Sequence, residues 1–246
     1  MNWIFPMAGF GTRTKKLGNY KPQIEILPNY SIFKLCVTGL KSLIDPKDTF
    51  IFIASEYQYS NFSIEKNIKQ VFEDLGLSNK TINVALNETP PGQALTVKTA
   101  IEGLDDTILK DKTFVINSDQ FLFFDINKVD LNKNSVGLYF NDGNSSCFFD
   151  LETNDKKVNQ IKEKEKISHY ASAGVFYFTS AKNIIDCVNW ALRKNKFYKN
   201  ELYLGPCMEY FQDLSYFKTL VKFDLGNIEN INLFKVFFTN LNIGTK

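Results

Sequence analysis

The chain has 246 residues, of which 44% are hydrophobic, 15% aromatic and 23% charged, with a formal net charge of +2. That length suits one large α/β domain or two small ones with a core that needs no covalent staples, and that charge is too small to make nucleic acid the main partner. Cys36, Cys147, Cys187 and Cys207 are widely spread beside a single histidine, a pattern that fits neither a zinc site nor a disulfide framework and predicts free buried thiols in a reducing compartment.

Residues 3–8 read as a buried strand that breaks into Gly9-Phe10-Gly11-Thr12-Arg13, followed by Lys15, Lys16 and Lys21-Pro22-Gln23. Alternating glycines let backbone amides approach a phosphate chain without a Cβ in the way. Arg13 adds a fork suited to phosphate oxygens and Lys21 a point charge. The alternative is a tight turn and a solvated basic loop. A helix is expected over 31–44 with Ser31 as N-cap, a strand over 49–54, a helix over 64–75 stopped by Gly76, and a strand over 81–86. Pro90-Pro91-Gly92 leads into a helix from Ala94 to about Glu102, and 113–117 reads as a fourth strand. Strands separated by helices of this length predict a parallel sheet with crossover connections. Ligands of such sheets sit beyond the carboxyl ends of the strands, which places the loops at 9–21, 87–93 and 118–121 on one rim.

The second half reads differently. Short strands at 135–140, 145–151, 157–161 and 173–178 are joined by turns such as Asn141-Asp142-Gly143-Asn144, and predict an antiparallel extension of the same sheet. Helices are expected at about 181–193, 203–213 and 228–240. No repeat, low-complexity segment or linker interrupts the chain, so one domain with two lobes is expected. No apolar run reaches membrane-spanning length, and the N-terminal apolar stretch lacks the basic flank and length of a signal peptide. The expectation is a soluble cytoplasmic protein with no membrane partner.

Asp119 closes the fourth strand on the ligand rim. One carboxylate there suits Mg²⁺, which takes one or two protein carboxylates and completes its shell with water and phosphate; a turn or cap role is the alternative. Asp224 ends the apolar run at 220–223 and is a second candidate, although the sequence does not show that the two converge. Thr89-Pro90-Pro91-Gly92-Gln93-Ala94 is either a plain connection or a small-residue turn against which a base can lie. Glu163-Lys164 ends the charged stretch 156–166, most of which reads as a solvated face. Asn200-Glu201-Leu202-Tyr203 is a substrate contact or a helix cap. His169 sits in a charged loop and reads as exposed.

Met7-Ala8-Gly9-Phe10-Gly11-Thr12-Arg13 with Lys21-Pro22 resembles the signature of nucleotidyltransferases that activate phosphorylated sugars and alcohols. Gly92-Gln93-Ala94 falls where that family has its base-contacting loop, and Asn117-Ser118-Asp119-Gln120 where it has its metal-binding aspartate. Glu163-Lys164 and the strand Ala173-Gly174-Val175-Phe176-Tyr177 fall where it holds the acceptor, and Phe223-Asp224-Leu225-Gly226 resembles its second metal aspartate. The resemblance covers nearly the whole chain. It implies a Rossmann-like (GT-A-type), mostly parallel sheet flanked by helices, with residues 1–130 as the nucleotide lobe and 131–246, on the antiparallel extension, as the acceptor lobe.

The implied reaction is NTP + R-phosphate → NDP-R + pyrophosphate. Arg13 and Lys21 would be catalytic, and Ala8, Gly9, Gly11, Thr12, Gly92, Gln93 and Ser118 would bind nucleotide. Glu163, Lys164, Gly174 and Glu201 would bind the acceptor, and Asp119 and Asp224 would hold Mg²⁺. Thr14 and Gln23 depart from the large apolar residues usual at those places, and the chain ends without the β-helical acyltransferase extension of some relatives. The small capsule-biosynthesis members are most similar, which implies CTP and a phosphoglutamine- or phosphocholine-like acceptor, handled by a monomer or homodimer. The competing readings are a uridylyl- or thymidylyltransferase acting on a sugar 1-phosphate, a sugar transferase on a related sheet, and a non-catalytic nucleotide-binding homologue.

Overall fold

The computed structural model describes residues 1–9, 11–152 and 156–243. Its first half contains β1 (Asn2–Pro6), β2 (Glu25–Leu27), β3 (Tyr30–Ser31), α1 (Ile32–Leu40), β4 (Thr49–Ser55), α2 (Glu56–Phe62), α3 (Ile64–Leu75), β5 (Lys80–Leu86), α4 (Gln93–Ile101), α5 (Asp106–Lys110), β6 (Thr113–Ile116) and β7 (Gln120–Phe124). The second half contains β8 (Ser135–Phe140), β9 (Cys147–Glu152), β10 (Lys157–Glu163), β11 (Tyr170–Phe178), α6 (Lys182–Arg193), α7 (Leu204–Cys207), β12 (Ser215–Asp224) and α8 (Ile228–Ile243).

A ten-stranded sheet runs β5-β4-β1-β6-β11-β8-β12-β10-β9, with β7 paired to β12. The four strands β5, β4, β1 and β6 are parallel, with Ile4 opposite both Ile51 and Val115. Beyond β6 the pairings are antiparallel except for β8 with β12. The sheet is therefore mixed, and the expected mostly parallel sheet is corrected to a parallel block of four strands. The reason is connection length. β9 and β10 are antiparallel neighbours separated by too few residues for the helical crossover that parallel strands need.

Strand alternation separates two kinds of core. Ile4, Ile51, Ile53 and Val115 face the side covered by α4 and α6. Trp3, Phe5, Phe50, Phe52 and Phe114 face α1 and α3. The aromatic side is tightly interlocked, with Trp3 stacked on Phe114 at 4.8 Å and Phe50 meeting Phe72 of α3 edge-on at 4.9 Å. Burial on both faces explains why these strands read as continuous apolar runs. Ser31 caps α1 as expected, accepting from the Lys34 amide at 3.2 Å.

A third, smaller cluster joins Ile24 and Ile26, Ile32 and Leu35 of α1, Leu225, and Ile231 and Phe234 of α8. It braces the segment just after Lys21 against the segment just after Asp224. The expected helix at 203–213 shortens to α7 and a single tight turn at Met208–Tyr210. Gly205 and Pro206 propagate a helix poorly, and Phe211 turns to extended backbone to pack on Phe178, centroids 6.1 Å apart. The four cysteines are buried and unpaired. Among the described residues no helix is long and apolar enough to cross a membrane.

Candidate active site

A cleft of about 530 Å³ opens beyond the carboxyl ends of β1 and β6. The three rim loops foreseen from the sequence all reach it: Ala8, Gly9, Gly11, Arg13 and Lys21 from the first, Thr89 to Gln93 from the second, and Asn117, Ser118 and Asp119 from the third. Glu201 and Tyr203 close the far wall.

The glycine loop is shaped by its neighbours. Gly11 adopts left-handed backbone at φ 61°, where a side chain is disfavoured, and opens a single turn at Thr12–Thr14. The Thr12 side chain lies outside the described residues. Thr14 is buried and donates to the Gly11 carbonyl at 3.1 Å, a use for a hydroxyl where the resembled family carries an apolar residue. Gln58 belongs to the capping box of α2 and donates to the Gly9 carbonyl at 3.3 Å. Gln23, the other departure, donates to the Phe62 carbonyl at 2.6 Å, and Tyr20 stacks on the Phe62 ring at 5.0 Å. Both contacts fix the backbone on either side of Lys21.

The charges meet at Gly226. Lys21 donates to Asp119 Oδ2 at 2.8 Å, and the Leu225 amide donates to the Asp119 carbonyl at 2.8 Å. Asp224 Oδ1 accepts from the Gly226 amide at 2.7 Å, and its Oδ2 from Asn230 at 3.2 Å. A Cβ on Gly226 would stand 2.8 Å from Asp224 Oδ1, 2.9 Å from Asp119 Oδ2 and 3.4 Å from Arg13 Nη2. Asp119 and Asp224 therefore flank one point, which the sequence left undecided. Burial opposes ionisation of Asp119 more than any other influence, yet Lys21, then Arg13 and Lys222, together hold its carboxyl below the usual range.

Two carboxylates around a gap that even a methyl group would fill suit a hard cation completed by water and phosphate. They do not form an all-protein cage: among the described residues no group of three or more His, Cys, Asp or Glu is disposed to hold a metal. Gly226→Ala should weaken binding of a divalent cation at this point about 10- to 100-fold, as disturbance of groups supporting a metal site commonly does. Titration calorimetry checks this, and an affinity equal to the parent would remove Gly226 from the site.

On the opposite wall Gly92 has φ 99°, and a Cβ there would lie 2.4 Å from the backbone N and O of Leu202. This close approach lets Ala94 N donate to Leu202 O at 3.0 Å and Leu202 N to Pro91 O at 3.1 Å. The ladder carries Glu201 and Tyr203 to the cleft. Gln93 donates to Asn117 Oδ1 at 2.5 Å, and Ser118 Oγ to the Pro6 carbonyl at 3.3 Å. Asn117 and Tyr203 are further cleft residues; the sequence named them within Asn117-Ser118-Asp119-Gln120 and Asn200-Glu201-Leu202-Tyr203 without giving either a role of its own.

The remaining residues lie on a second level. Glu163 is almost buried, and Lys164 pairs with it at 3.3 Å. Lys164 also donates to the Ser145 carbonyl and holds its ammonium 5.9 Å from the Tyr203 ring centre. Tyr203 in turn donates to Glu201, so these four groups are linked. Lys164 has φ 59°, uncommon for a residue with a side chain, and its amide is fixed by the Ser146 carbonyl at 2.9 Å. Gly174 is buried beneath Asn117 and Gln120 rather than lining the cleft, and its carbonyl accepts from the Asn117 amide at 2.9 Å. His169 is exposed, stacked on Phe140 and hydrogen-bonded to Asp142 at 2.8 Å.

The fold is similar to that of solved nucleotidyltransferases acting on sugar and alcohol phosphates. The nucleoside-diphosphate-sugar pyrophosphorylase of Vibrio cholerae RC9 superposes with a TM-score of 0.78 over 95% of this chain and 99% of its own, at 19% identity. CTP:phosphocholine cytidylyltransferase from Streptococcus pneumoniae gives 0.67 over 96% and 98%, at 15% identity. The inositol-1-phosphate CTP transferase of T. maritima gives 0.64 over 93% and 90%, at 12% identity. No protein-family model and no curated protein sequence matches the chain.

Proposed function

We propose that the protein is a nucleotidyltransferase that joins a nucleoside triphosphate to a phosphorylated acceptor. An oxygen of the acceptor phosphate bonds to the α-phosphorus in line, the bond from the α-phosphorus to its bridging oxygen breaks, and pyrophosphate departs with the electron pair. The observation that carries this reading is the convergence of Lys21, Arg13, Asp119 and Asp224 on Gly226, beside the glycine loop. Such chemistry needs positioning and charge neutralisation more than covalent help.

In this reading Gly9 and Gly11 bring backbone amides to the triphosphate. Arg13 neutralises the leaving pyrophosphate, and Lys21 turns from Asp119 toward the α-phosphate and the incoming oxygen. Asp119 and Asp224 would hold Mg²⁺, which when bound offsets phosphate charge. Lys164, kept in place by Glu163, anchors the acceptor phosphate, with Glu201 and Tyr203 between it and the nucleotide. Ala8, Thr12, Gln93 and Ser118 shape the nucleotide side, and Gly174 supports it from behind. We assign CTP as the nucleotide and a small phosphorylated metabolite of surface-polysaccharide assembly as the acceptor. Residues 1–130 and 131–246 are the nucleotide and acceptor lobes of one cytoplasmic GT-A-like domain.

Thermal melting against CTP, UTP, dTTP, ATP and GTP, with and without Mg²⁺, tests the reading without knowledge of the acceptor. A ligand at a hundred times its dissociation constant stabilises by about 2.7 kcal/mol, or roughly 5–10 °C for a chain of this length. CTP with Mg²⁺ should stand out. A larger response to another triphosphate would correct the base, and a flat response to all five would overturn the transferase reading.

A further inference from the structure

Beyond the reacting centre, the acceptor side carries a cation that the reaction as proposed does not use. Lys222 and Asp224 are two residues apart on β12, hence on one face of the strand and about 7 Å apart along it. The Lys222 ammonium lies over the Tyr139 ring, 4.3 Å from its centre. Its field reaches Asp119, yet among the described residues Lys222 forms no ion pair. Asp119 pairs with Lys21, and Asp224 accepts from Gly226 and Asn230, while Glu163 pairs with Lys164 and Asp142 with His169 and Lys166. Glu201 accepts from Tyr203 on the nucleotide cleft.

Tyr139 is itself fixed. Asn141 donates to the Tyr139 hydroxyl and to Ser146 Oγ, both at 2.8 Å, and the Lys164 amide holds the Ser146 carbonyl. Lys222, Tyr139, Asn141 and Ser146 are all half-buried rather than sealed. A chain of contacts thus runs from Lys222, two residues from Asp224, through Tyr139, Asn141 and Ser146 to Lys164. A half-buried ammonium without a carboxylate partner, lying on an aromatic face, leaves an electrostatic demand for an anion. The same ammonium occupies the π-face that a quaternary ammonium group would need.

We infer that Lys222, seated on Tyr139, is a specificity subsite for an anionic group on the acceptor's far end, a carboxylate by preference, and that it rejects acceptors with a cationic tail. The inference rests on the transferase reading and narrows its acceptor: a phosphorylated acid fits, and a phosphocholine-like molecule does not.

Binding of 3-phosphoglycerate, glycerol 3-phosphate and phosphocholine to the full chain, with Mg²⁺ and a CTP analogue whose α–β bridge cannot be cleaved, tests it. Affinity should fall in that order, with about tenfold between the first and the last. Lys222→Gln should bring 3-phosphoglycerate to within about twofold of glycerol 3-phosphate, and Lys222→Arg should restore the preference. Equal losses for all three esters would mean that Lys222 holds the acceptor phosphate instead, and phosphocholine binding as well as 3-phosphoglycerate would overturn the subsite. The same three esters are also measured without the analogue, so its failure to bind would count against the transferase reading, while the order of the esters on the free protein decides the subsite.

Discussion

Asp119→Asn should reduce turnover by at least about 10³-fold, in line with the loss of a principal charge-positioning group in phosphoryl transfer, and leave the fold intact. Asp119 lies at the end of β6 on the cleft rim, and the contact that ties it to the end of β12 is made by its backbone carbonyl, not its side chain. The amide keeps the shape but loses the charge that Lys21 pairs with at 2.8 Å. With Lys21, Arg13 and Lys222 holding the carboxyl below the usual range, the ionised form is complete above the ordinary carboxylate value of about 4. Its stabilising pairing is lost only as pH falls through the lowered value. Steady-state pyrophosphate release and the melting temperature, measured together, check the expectation. Retention of a tenth or more of the Mg²⁺-dependent rate would remove Asp119 from the mechanism.

Arg13→Ala should cost on the order of 10³-fold in the rate of transfer, the size of effect seen when an arginine that neutralises phosphoryl charge is lost. Arg13 forms no ion pair among the described residues, and its guanidinium points to the spot flanked by Asp119 and Asp224. It therefore has its donors to spend on a ligand rather than on the fold, and the melting temperature of the free protein should barely change. Arg13→Lys should recover only part of the rate, because an ammonium offers a point charge where the guanidinium offers a fork. Single-turnover kinetics separates this loss in the chemical step from weakened binding. A large fall in stability, or a rate within a factor of a few of the parent, would contradict the role.

The parallel half of the molecule was legible because β1, β4 and β6 are buried on both faces while the edge strand β5 alternates along its length, and because its helices carry an apolar stripe. Those two facts made strands at 3–8, 49–54, 81–86 and 113–117 stand out as runs separated by crossovers. The strands β7 and β12 were not legible. Leu220 is 65% exposed, so its apolarity carried no information about burial, and β7 exists only because β12 supplies its partner. The helix expected at 203–213 failed for a similar reason: the packing of Phe211 on Phe178 overrode local periodicity.

At the cleft, the sequence by itself pointed to the glycine loop, Arg13 and Lys21 after one strand and to Asp119 after another, because each lies just past the end of a strand that its apolar run makes visible. Only the tertiary structure decided that Asp119 and Asp224 share a point, since more than a hundred residues separate them and the β7–β12 pairing brings them together. It also decided that Gly174 lies behind the cleft, that Tyr203 links Glu201 to Lys164, and that Lys222 rests on Tyr139 without an acidic partner. Each of these depends on strand register. A register is set by which faces find burial across the whole sheet, and no local stretch of sequence contains that information.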